Sequence, residues 1–138
     1  MKGNWTEANA EKLVSSWLKL STSQVGGIDL IAAQNDAMAI GTRKAFEQVT
    51  DAIHRLNWLA RLYLGIDGAS KTEQAWVQRG QLTATIVVPA NAGKTIDVLA
   101  HVLQTGTLPP QNTLTTPKSY PGVEELVKKA KRQAVASH

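Results

Sequence analysis

Residues 29–46 read DLIAAQNDAMAIGTRKAF, a short apolar run that ends in Asn35-Asp36 and passes at once into helical spacing. Such a switch of period marks a strand that delivers polar side chains to the start of a helix. The run over 28–33 is too uniformly apolar for one wet face, which predicts a parallel strand covered on both sides. Asp36 occupies the expected N-cap, and Ala39, Ile40, Ala45, Phe46 and Val49 supply the core stripe of the following helix. In open α/β sheets ligands sit beyond the carboxyl ends of the strands, so Asn35-Asp36 stands where a site forms. A second copy follows at 61–70, RLYLGIDGAS, which places Asp67 at the end of another apolar run and Gly68 in the turn after it.

Working outward, Thr6 is the expected cap of a helix whose apolar face carries Ala10, Leu13, Val14, Trp17 and Leu18, and STSQVGG over 21–27 ends it. The stretch IHRLNWLA over 53–60 reads equally as a helix extension or as a covered connection to the strand at 62–66. Ser70 or Thr72 caps a helix running through Trp76 to Arg79 that Gly80 ends, and the β-branched run LTATIVV over 82–88, stopped by Pro89, is a further strand. A strongly apolar helix over 92–104 closes at Gly106, Leu108-Pro109-Pro110 is an extended linker, 113–116 is a candidate last strand, and a terminal helix follows. Strands alternating with helices predict an α/β fold, a three-layer parallel sheet with helices on both faces.

The length of 138 residues and 43% hydrophobic content suit one lobe with its own core over 1–138. The absence of cysteine excludes a disulfide scaffold and any thiolate metal site. No stretch reaches the roughly 20 apolar residues of a membrane span, and Met1-Lys2-Gly3 lacks a signal-peptide core, so the chain as it stands is expected to be cytoplasmic. Most of the net charge of +4 belongs to Lys118, Lys128, Lys129, Lys131 and Arg132 against Glu124 and Glu125. That segment reads as a solvated helix, acids first and bases after, with no aromatics to stack bases, so no nucleic-acid partner is expected.

Chemistry finds little support. Gly93-Lys94-Thr95 resembles the end of a phosphate loop, but Val88 stands where that loop needs its first small residue. His54, His101 and His138 are far apart with no paired spacing, so neither metal nor cofactor is expected. Asp36 and Asp67 form a conceivable acid/base pair, the basis of an alternative reading as a small α/β enzyme, yet no nucleophile with an orienting base accompanies them. Trp17 and Trp76 lie on apolar stripes and read as core. Trp5 precedes the first helix with little apolar pattern around it, and a ligand-facing platform is as consistent as packing.

Together AAQNDAMAIG (32–41), LGIDGAS (64–70), QRGQLTATIVVPANAGKTIDVL (78–99) and PKSYPGVEEL (117–126) make the chain resemble the C-terminal half of type I periplasmic sugar-binding proteins, the solute receptors of ABC importers. The same lobe occurs in effector domains of lac-repressor-type regulators, a second possible origin, although no DNA-reading helix pair is present. The resemblance implies a non-catalytic sugar-binding lobe whose intact form works in the periplasm with an N-terminal lobe and a membrane permease. It also implies that Asn35 and Asp67 bind sugar hydroxyls and that Trp5 stacks on the ring. In this split of the polar pair, Asn35 is the ligand contact and Asp36 the helix cap.

Two departures stand out. The family commonly carries a sugar-contacting glutamine where this chain has Val88, and the resemblance starts partway through the C-terminal lobe, without the N-terminal lobe and the first βα unit. The helix over 92–104 crosses to the N-terminal lobe in the family, which leaves Ile96, Val98, Leu99, Val102 and Leu103 without that cover here. A homodimer or domain swap through this helix is the expected consequence.

Overall fold

The computed structural model describes residues 3–24 and 27–136. Its elements run α1 (Glu7–Trp17), a 3-10 turn (Ser21–Gln24), β1 (Leu30–Ala32), α2 (Asp36–Glu47), α3 (Ala52–Leu59), β2 (Leu62–Asp67), α4 (Glu73–Gln78), β3 (Ala84–Val87), α5 (Asn91–Thr105), β4 (Lys118–Tyr120) and α6 (Val123–Ala136). Strand order is β1-β2-β3-β4; the first three are parallel and β4 pairs antiparallel with β3 through Thr85↔Tyr120 and Val87↔Lys118. The expected alternation of parallel strands and helices is therefore present.

Parallel strands that follow one another across a sheet in chain order carry their connecting helices on one face when the crossovers share one hand. The packing agrees, since Trp58 and Leu59 of α3 and Trp76 and Val77 of α4 all lie against one cluster of Ala39, Ile40, Phe46, Tyr63 and Leu82. Trp58 stacks on Phe46 with centroids 4.5 Å apart and meets Trp17 edge-on at 5.8 Å. Trp17 and Trp76 thus belong to the core margin, as their stripes predict. The Tyr63 hydroxyl donates to the Trp58 carbonyl at 2.9 Å, and burial pushes the phenol up to about 12.

Helix α1 lies along α2 because Gly41 has no side chain: a Cβ there would strike the Glu7 carbonyl. Lys44 pairs with Glu7, and Gln48 Nε2 donates to Glu11 at 2.7 Å, so polar contacts flank this apolar seam.

Several expectations need correction. The strand expected over 28–33 is shorter, and its cover is thin on one face: Leu30, Leu62 and Ile86, which share that face by register, are 47%, 51% and 45% exposed. The run IHRLNWLA is a separate helix, because Asp51 accepts from the His54 backbone at 2.8 Å and restarts the helix after the break at 48–50. Val49 lies beyond the end of α2 and drops out of its stripe. No strand forms over 113–116; β4 comes later, at Lys118–Tyr120, where the backbone reaches β3. Within STSQVGG, Val25 and Gly26 lie outside the described residues, as does His138. Among the described residues no helix is long and apolar enough to cross a membrane.

Candidate functional site

The carboxyl ends of β1 and β2 meet at one rim of the sheet. Asn35 follows β1 with extended backbone (φ −149°, ψ 169°) and caps α2: its Oδ1 accepts from Met38 N at 2.8 Å. Asn35, and not Asp36, is therefore the N-cap. Both residue types cap well, so position alone does not separate them. The partners do.

Asp36 turns inward and is fully buried. Its Oδ2 accepts from Gly68 N at 2.8 Å and from Thr85 Oγ1 at 2.7 Å, while Oδ1 is buried with no hydrogen-bond partner among the described residues. Burial raises its carboxyl above the ordinary range, the two hydrogen bonds pull it back, and the acids Glu73 and Asp67 push it up again. Gly65 makes room for it; a Cβ there would stand 2.8 Å from Asp36 Cα.

Two side-chain bonds thus gather the predicted residues. Asn35 Nδ2 donates to the Trp5 carbonyl at 3.0 Å, which ties the N-terminal turn to the end of β1. Asp36, the next residue, holds Gly68, the neighbour of Asp67. Asn35 is buried, Asp67 is exposed, and Trp5 is 64% exposed in a turn where Asn4 and Trp5 both have positive φ (47° and 59°). Val88, 44% exposed, joins the same rim, its N–H donating to the Asp67 carbonyl at 3.1 Å.

Thr85 and Gln74 escaped sequence reasoning. Gln74 Nε2 donates to the Gly68 carbonyl at 2.8 Å, so the turn after β2 is buttressed from α4 as well. A threonine inside a β-branched strand and a glutamine on a short helix carry no local mark of such a role. Among the described residues no group of three or more His, Asp or Glu is placed to hold a metal ion.

No protein-family model and no curated protein sequence matches the chain. Solved structures do. A galactofuranose-binding protein is 26% identical, with 95% of this chain covering 44% of that one at a TM-score of 0.67. The arabinose-binding component of an ABC transporter from Shewanella sp. ANA-3, bound to L-arabinofuranose, is 18% identical, with 100% and 45% covered and a TM-score of 0.69. A D-allose-bound solute-binding protein from Actinobacillus succinogenes 130z is 22% identical, with 93% and 42% covered and a TM-score of 0.65. The chain spans less than half the length of each of these proteins. Its fold is that of part of a type I periplasmic sugar-binding protein.

Proposed function

We propose that the chain is a non-catalytic carbohydrate-binding lobe in which Trp5, Asn35 and Asp67 contact a neutral sugar. The observation that carries this reading is the convergence of the three residues on one rim through the Asn35–Trp5 and Asp36–Gly68 bonds. The exposed Asp67 carboxylate suits two vicinal hydroxyls, both donors. Asn35 uses one lone pair of Oδ1 for Met38 and one proton of Nδ2 for Trp5, which leaves one acceptor and one donor site for a hydroxyl that does both. The Trp5 ring offers an apolar surface to the C–H face of a sugar.

Val88 gives that rim an apolar side chain where the importer receptors commonly carry a glutamine. One missing net hydrogen bond, about 0.5 to 1.5 kcal/mol, lowers affinity by roughly two- to tenfold. In an intact receptor of this kind the lobe serves an ABC importer in the periplasm, facing an N-terminal lobe and delivering solute to a membrane permease. The uncovered stripe Ile96, Leu99 and Leu103 on α5, 66%, 57% and 77% exposed, supports self-association through that helix.

Titration calorimetry with L-arabinose, D-allose, D-fructose and methyl β-D-galactofuranoside tests the site. Saturable heat with at least one sugar is expected, lost in Asp67→Ala and in Asn35→Ala. The second variant also forfeits a helix cap worth about 1 kcal/mol, so its folding is checked by circular dichroism. Equal heat in both variants, or turnover of any of the four sugars, rejects the reading.

A further inference from the structure

The peptide unit joining Asp67 to Gly68 is gripped at both polar ends. Its carbonyl accepts from Val88 N at 3.1 Å and its N–H donates to Asp36 Oδ2 at 2.8 Å. Asp67 itself has φ 111°, a conformation that side-chain-bearing residues rarely adopt. Such strain persists only where surrounding contacts over-determine it. The contacts are present on every side: Gly68, at φ 65°, is pressed so close to β3 that a Cβ would stand 2.7 Å from Val87 Cα, and Gln74 holds the next carbonyl.

We infer that Asp36, with Thr85 orienting it, is a positioning residue of the rim: it acts through the Gly68 N–H to hold Asp67 in its strained backbone conformation, and ligand binding at Asp67 depends on a carboxylate that touches no ligand. The second half of this statement rests on the sugar-binding reading above. Stability alone gives little reason for a carboxylate here. Asp36 is fully buried near the acids Glu73 and Asp67, and one of its oxygens has no partner among the described residues. A charge-assisted bond, however, is roughly twice as strong as a neutral one, and here both of its donors belong to the segments that must be held together. Gly65 serves the same end, since its missing side chain is what lets the carboxylate reach between β2 and β3.

The test compares the unaltered chain with Asp36→Asn, Thr85→Val and Thr85→Ser. Two readouts are used: the HN–Hα coupling of Asp67 with the Gly68 amide shift, and affinity for the same four sugars. In Asp36→Asn and Thr85→Val the Asp67 coupling and the Gly68 shift are expected to move and affinity to fall at least tenfold; Thr85→Ser, which keeps the hydroxyl, stays within twofold. A residue that merely stabilises the fold would leave the Asp67 coupling in place. If Asp36→Asn does not fold, the Thr85 pair decides alone. Unchanged coupling in folded Thr85→Val overturns the inference whether or not sugar binds. Moved coupling in a protein that takes up none of the sugars upholds the backbone hold and sinks the sugar-binding reading instead. Moved coupling with undiminished affinity overturns the dependence of binding on Asp36.

Discussion

The rim end of the molecule and the segment 91–117 both carry apolar stripes and are held in opposite ways. At the rim, bonds between residues 30, 32 and 49 positions apart tie Asn35 to Trp5 and Asp36 to Gly68 and Thr85, and the helices behind them share one aromatic core. In 91–117 no residue is buried, and the side-chain bonds of α5 stay within the segment: Thr95 and Thr105 donate to carbonyls one turn back, Thr105 Oγ1 accepts from Thr107 N, and Asn91 Oδ1 accepts from Thr115. Apolar content alone does not make a core. Burial requires a second surface, which the rim end finds among the described residues and α5 does not.

The largest effect that sharpens this contrast is Phe46→Ala. The ring is 2% exposed and stacked on Trp58, so its loss is expected to cost about 3–5 kcal/mol by urea denaturation, against no more than about 0.5 kcal/mol for Leu103→Ala. Equal losses would mean that α5 is packed after all.

Next in size is Tyr63→Phe, which removes the hydroxyl donor from the Trp58 carbonyl while Arg61 N still donates to it, and should cost about 1 kcal/mol near neutral pH. Its pH dependence carries the sign. The folded phenol titrates near 12 against 10.0 in the unfolded chain, so the unfolded state binds fewer protons between those values. Stability is full below pH 10 and falls as pH rises through that window; the variant should lose this slope. A slope that survives in Tyr63→Phe places its origin elsewhere.

The smallest effect on folding, yet the most telling for the second region, is Leu103→Glu. Measured at a concentration where the unaltered chain is monomeric, stability should be unchanged within about 0.5 kcal/mol, while light scattering at micromolar concentration reports a dimer for the unaltered chain and a monomer for the variant. A monomer in both cases removes self-association through α5.

Much of this architecture is legible in the primary structure. Periodicity marks α1, α2, α4 and α5, and the β-branched run ended by Pro89 marks β3. Gly106 closes α5 at φ 67°, as its place after the apolar stripe predicts. Local signals fail where local alternatives are equal. Asp51 restarts a helix inside a run whose apolar spacing is continuous, and β4 is a strand only because β3 has an open edge to receive it.

The candidate site divides the same way. By itself the sequence determines that Asn35, Asp36, Asp67 and Gly68 stand at the ends of parallel strands, because alternation and turn chemistry are properties of neighbouring residues. The tertiary structure alone decides that Asn35 caps the helix while Asp36 goes inward. Asparagine and aspartate are equivalent caps over one turn, and only donors from Gly68 and Thr85, 32 and 49 residues away, make burial of the carboxylate the better arrangement.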